Sequence, residues 1–219
     1  MKLTRPDNRP DGLTMIELLV VLACLFLVVG LLLPRAGGNR QKATVTICIN
    51  HLRQVALGQM VWASDYDSLG SAAHVPIDAA GILKSLTHDG ISSYYRELSN
   101  SLGSPKILTC PSDNRKPAPD FQSLTTNHLS YFLNLDAMSG IDASTAFNGD
   151  RHITFTPAQH GPIVILTTNL TMQWTKKLGH RDLGNVALVD GSVQKTSNRD
   201  LTLILLPRSN TVPHRLLFP

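Results

Sequence analysis

Apolar side chains fill positions 18–33 with Gly30 as the single gap, and Glu17 and Pro34 bound the run. A helix rises about 1.5 Å per residue, so residues 13–34 would extend roughly 30 Å, the thickness of a hydrocarbon core. Val20, Val21, Val28 and Val29 favour a helix poorly in water, but in lipid a lone segment must satisfy its own backbone. The pattern therefore predicts a transmembrane helix over 13–34. Pro34, Gly37 and Gly38 then predict a kink or local break, with the helix resuming near Arg40. Val45, Cys48, Leu52, Val55, Gln59, Trp62 and Tyr66 follow at alternating spacings of three and four, which is one helical face. An amphipathic continuation over 35–69 is predicted, its apolar stripe carrying the rest of the chain.

Beyond it the periods are shorter. Short helices are predicted over 77–86 and 92–102, and strands over 106–110, 128–133 and 163–168. Pro111-Ser112-Asp113-Asn114 is turn chemistry, since Pro fixes φ and Asp and Asn bond back to the backbone. Residues 136–151 and 170–179 are polar enough to predict loops, the second holding Trp174. Two apolar stretches flank Asp190-Gly191, the signature of a two-residue hairpin. Asn198 is placed to cap a last helix that Pro207 would stop.

Glu17 is the residue that a plain anchor does not explain. A carboxylate in an apolar helix costs several kcal/mol and calls for a partner. Cutting the chain after Gly12 would place the new α-amino group of Leu13 one turn away, and the same amine on a neighbouring copy could approach Glu17. The run is too long for a cleaved secretory signal, and Pro34-Arg35-Ala36-Gly37-Gly38 is a poor cleavage site of that kind.

The string Gly12-Leu13-Thr14-Met15-Ile16-Glu17-Leu18-Leu19-Val20-Val21-Leu22 resembles the class III signal of type IV pilins and type II secretion pseudopilins. That resemblance implies cleavage after Gly12 by a prepilin peptidase and methylation of Leu13, a position usually held by phenylalanine. It implies that Glu17 guides subunit addition to a filament and that Pro34 kinks the helix. His180, nine residues, then Asp190-Gly191 resembles the C-terminal signature of a pseudopilin-like subgroup, as do the surroundings of Cys48 and Cys110.

Composition narrows the reading. The chain has 219 residues, and one globular domain remains after the stem. The formal net charge is +4, one unit of which belongs to the leader through Lys2, Arg5 and Arg9 against Asp7 and Asp11. With no basic run and 5% aromatics, nucleic acid is not an expected partner. Of three cysteines, Cys24 falls in the apolar run, while Cys48 and Cys110 are candidates for a disulfide or for two buried thiols. Motifs of hydrolases, nucleotide binders and zinc peptidases are absent, so an enzyme is not expected. His180 and Asp190 could serve structure, or a weak calcium site near Asp182 and Asp190; no other cofactor is expected.

The expected fold is α+β: a long kinked N-terminal helix, transmembrane in its first half, packed on a small antiparallel sheet. The expected organisation is a leader over 1–12, a membrane and filament-core helix over 13–34, its continuation over 35–69 and a globular domain over 70–219. The resemblance implies a structural subunit of a type II secretion pseudopilus or type IV pilus-like filament. Its partners would be other subunits, the peptidase and an inner-membrane assembly platform. It would rest in the inner membrane by a single pass, its C-terminal domain in the periplasm, before extraction into a filament. A membrane-tethered periplasmic binding module that does not polymerise is the alternative.

Overall fold

The structure is a computed structural model, and it describes residues 14–32, 36–65, 90–137, 143–175, 180, 182–206 and 214–219. The leader, Gly12, Leu13, Pro34, Tyr66 and the helix expected over 77–86 lie outside the described residues. The chain divides into two compact units, Met1–Arg40 and Gln41–Pro219.

The stem differs from expectation. Two helices, α1 (Met15–Leu32) and α2 (Ala36–Asp65), stand where one long kinked helix was expected. Helix α1 has 18 residues, a length of about 27 Å against a hydrocarbon core of about 30 Å. Helix α2 opens on Gly37, Gly38, Asn39, Arg40, Gln41 and Lys42, which cannot prolong the apolar run. Among the described residues no helix is long and apolar enough to cross a membrane. This overturns the transmembrane first half, and with it the single-pass inner-membrane placement with a periplasmic domain. Gly37 and Gly38 lie inside α2 and do not break it.

In the first unit, α1 starts with a local cap. Thr14 N and Oγ1 both donate to Glu17 Oε2 at 2.9 Å, and Glu17 N donates to Thr14 Oγ1 at 3.4 Å. This reciprocal arrangement satisfies backbone N–H groups that a helix start leaves without partners.

The second unit is α+β. After α2 come α3 (Gly90–Glu97) and the one-turn α4 (Ser99–Leu102), which together occupy the span expected as one helix. Residues Pro105–Leu108 form a 3₁₀ turn, not a strand, because Pro105 occupies its first turn and the Ser104 side chain accepts from Lys106 N. The strands are β1 (Tyr131–Asn134), β2 (Ala146–Asp150), β3 (Ile153–Thr156), β4 (Ile163–Ile165), β5 (Thr171–Trp174), β6 (Leu183–Leu188), β7 (Val193–Ser197) and β8 (Arg215–Leu217), with α5 (Asn198–Leu205) between the last two. A six-stranded antiparallel sheet runs β4-β8-β1-β2-β6-β7, and β3 pairs with β5 separately.

Alternation along the strands gives the large sheet two covered faces. Tyr131, Leu133, Phe147, Ala187 and Leu217 pack with Cys48, Leu52, Val55, Ala56 and Trp62 of α2 and with Ile91, Tyr94 and Tyr95 of α3. Phe132, Ala146, Val186, Leu188 and Leu216 pack with Leu201 and Leu205 of α5 and with Met172 and Trp174 of β5. Gly149 lies opposite Phe132 across the β1–β2 ladder, and a Cβ there would sit 2.6 Å from the Phe132 ring. Bare backbone at that point lets the ring lie over the strand.

The hairpin joining β6 to β7 is longer than a two-residue turn. Gly191 N donates to Leu188 O at 3.0 Å and Leu188 N to Ser192 O at 2.8 Å, enclosing Val189, Asp190 and Gly191. Gly191 has φ +80°, the left-handed residue that closes a three-residue hairpin loop. At α5, Ser197 N and Oγ donate to Asp200 Oδ2 at 3.2 and 2.7 Å, so Ser197 and Asp200 start the helix. Asn198, the expected cap, accepts from Trp174 N at 2.7 Å and ties α5 to β5 instead.

Candidate functional site

Two features stand apart from an ordinary core. The first is α1 itself. Met15, Ile16, Leu18, Leu19, Val20, Val21, Leu22, Leu25, Phe26, Leu27, Val28 and Val29 are all between 45% and 81% exposed. A soluble chain rarely leaves an apolar surface of that extent uncovered, because each large side chain forgoes roughly 1.5–3 kcal/mol of burial. At its N-terminal end Glu17, held by Thr14, presents the one carboxylate of the helix.

The second is a buried polar cluster where α2 meets the sheet. Asn148, at the centre of β2, donates to Gln59 Oε1 of α2 at 2.5 Å and accepts from Tyr95 Oη at 3.2 Å. Gln59 Nε2 donates in turn to Tyr94 Oη at 2.8 Å. One pleat further, Asp150 Oδ2 accepts from Asn185 N at 2.8 Å and Asn185 Nδ2 at 3.0 Å. His180 Nε2 lies 3.5 Å from Asp150 Oδ2 and 3.5 Å from Cys110 Sγ. Cys110 is joined to Cys48 of α2 by a disulfide, 62 residues apart in sequence.

Burial sets the electrostatics. It pushes Asp150 up to about 7, against the Asn185 N–H bonds that pull the other way. It moves His180 down to about 4, helped by the nearness of His152 and Lys195. Nearby, Arg151 Nε and Nη2 donate to Asp113 at 2.8 and 2.9 Å, and His152 Nε2 lies 3.2 Å from Asp113 Oδ1. Burial alone would raise Asp113, but His152 and Arg151 outweigh it and hold the carboxyl well below the usual range. A depression of about 270 Å³ opens over Cys110 and Asp113 and is lined also by His51, Lys106 and Arg115. Arg115 reaches the carbonyls of Thr126, Leu129 and Pro219, anchoring this loop to the segment after β8.

The sequence-derived residues fall in different places. Glu17 caps α1, and Gly12, Leu13 and Pro34 lie outside the described residues. His180 is buried beside the disulfide, whereas Asp190 is exposed at the hairpin tip, its carboxylate accepting from Ser192 N at 2.8 Å. The six residues of β6 separate His180 and Asp182 from Asp190, a distance of about 20 Å along an extended strand. Asp182 and Asp190 therefore do not share a calcium shell, and His180 does not act with Asp190. Its partner is Asp150, which the sequence reading missed because 136–151 was expected to be a loop. Phe147, the one aromatic residue in 136–151, was the available strand signal. Compared with family models, curated proteins and solved structures, the chain matches none.

Proposed function

We propose that the chain is a non-enzymatic, pilin-like subunit of a type II secretion pseudopilus or type IV pilus-like filament, cut after Gly12 and methylated on Leu13. The observation that carries this reading is the exposed apolar surface of α1, led by Glu17 and preceded in sequence by the Gly12-Leu13 motif. Helices of the same kind from neighbouring subunits would cover that surface. The Glu17 carboxylate would meet the cationic N-terminus of a neighbour, a contact that fixes register because it is strong only in apolar surroundings. The partners are other subunits, the prepilin peptidase and an assembly platform.

Glu17 also caps its own helix, so the test must separate the two roles. Glutamine preserves a capping box but carries no charge. In its host cell, Glu17→Gln is expected to leave cleavage intact and to abolish assembly, read by sedimentation of sheared filaments and by cross-linking between subunits. Gly12→Val is expected to leave the uncut precursor. Normal assembly by Glu17→Gln, or normal processing of Gly12→Val, would contradict the proposal.

A further inference from the structure

The disulfide sits in a setting that suits a metal as well as it suits a covalent bond. Donor atoms of Cys48, Cys110 and His180 all lie within 4.8 Å of one another, and all three residues are buried. Structural zinc takes Cys sulfur at about 2.3 Å and His nitrogen or carboxylate oxygen at about 2.0–2.2 Å in a tetrahedron. The edges of such a tetrahedron are about 3.5 Å for a sulfur–nitrogen pair and about 3.3–3.5 Å for a nitrogen–oxygen pair. The observed separations are 3.5 Å for Cys110 Sγ to His180 Nε2 and 3.5 Å for His180 Nε2 to Asp150 Oδ2. Those two edges match while the sulfurs are bonded, and closing a four-ligand site brings the Asp150 carboxylate, which lies outside the 4.8 Å cluster, toward the sulfurs. Asn185 N and Nδ2 both donate to Asp150 Oδ2 and fix the carboxylate in place, so a metal on that oxygen replaces one of these hydrogen bonds. Two thiolates and the Asp150 carboxylate bring three negative charges to a divalent cation's two, and the Asn185 N–H groups on the carboxylate offset the remaining one.

We propose that the reduced chain binds one Zn²⁺ through Cys48, Cys110, His180 and Asp150, and that forming the Cys48–Cys110 disulfide expels it. The ligands come from α2, the loop after the 3₁₀ turn at Pro105–Leu108, the residue leading into β6, and the end of β2. The metal therefore ties the same elements that the disulfide later ties. On binding, the two thiols lose their protons to solvent. On oxidation by a disulfide-bearing oxidant, the two thiolates form the Cys48–Cys110 bond. The oxidant's own disulfide takes up the electron pair and two protons to become two thiols, and Zn²⁺ leaves. The proposal is independent of the filament reading.

The test uses the full chain with Cys24→Ser, which removes the one exposed thiol. Co²⁺ is titrated into the oxidised protein and into protein reduced with a phosphine that does not bind the metal. The reduced chain is expected to take one equivalent, with thiolate-to-cobalt charge transfer and the visible bands of tetrahedral Co²⁺, and Zn²⁺ should displace it. The oxidised chain should show neither feature. His180→Ala and Asp150→Asn should each weaken binding by more than the roughly 10–100-fold that follows loss of an outer-shell partner alone. A reduced chain without charge transfer would overturn the proposal, a comparison that needs no ligand variant to fold. So would an affinity unchanged by either substitution.

Discussion

Glu17 and Asp113 show how one carboxylate differs from another. Glu17 is exposed and takes its hydrogen bonds from Thr14, three residues before it. That Thr-x-x-Glu pattern is legible in the sequence as a helix start, but a run assumed to face lipid directs attention to distant partners instead. Asp113 has a partner that no spacing rule reveals, since Arg151 lies 38 residues away. Its folded pKa lies below the unfolded value of about 3.9. The stabilisation is therefore complete above that value and is lost as pH falls through and below it. Asp113→Asn should cost roughly 2–4 kcal/mol near neutral pH. In urea titrations the gap from the unaltered chain should close as the pH is taken below about 4. A gap that persists in acid would place the loss in packing and not in the ion pair.

The elements divide into those with a clean period and those that polar residues disguise. The stripe on α2 was legible: Cys48, Leu52 and Val55 are fully buried and Gln59 nearly so. Strand β2 was not, because Asn148, Gly149 and Asp150 are poor strand formers by composition. They are tolerated at the sheet centre because Gln59, Tyr95 and Asn185 supply their hydrogen bonds and Phe132 needs the glycine. Strand β5 alternates exposed and buried residues, with Met172 and Trp174 inward, yet its polar neighbours made it read as a loop. The β6–β7 turn offers a test of backbone conformation. Gly191→Ala should lower stability by about 1 kcal/mol or more, since φ is positive and the new Cβ would approach Leu57. Gly191→Asn should cost less, and thermal unfolding distinguishes the two. The disulfide closes 62 residues, so Cys48→Ser with Cys110→Ser should cost about 4 kcal/mol in metal-free protein by chain entropy.

The two units carry different duties. Every buried apolar residue among those described belongs to Gln41–Pro219, while the exposed apolar side chains of α1 belong to Met1–Arg40. A fragment over 41–219 should therefore unfold cooperatively and remain monodisperse in analytical ultracentrifugation. The full chain should self-associate through α1. Equal behaviour of the two would remove the reason for assigning assembly to α1. The apolar run was legible from sequence, but its length in residues was a poor guide to a spanning element, because helical structure divides into α1 and a polar-opening α2. A filament subunit of this kind is defined most directly by how the chain begins once it has matured. Intact-mass and N-terminal peptide mass spectrometry of the protein from its host cell should find a chain starting at Leu13 with a methylated α-amino group. A mature chain that retains residues 1–12, or that starts elsewhere with an unmodified amine, would contradict it.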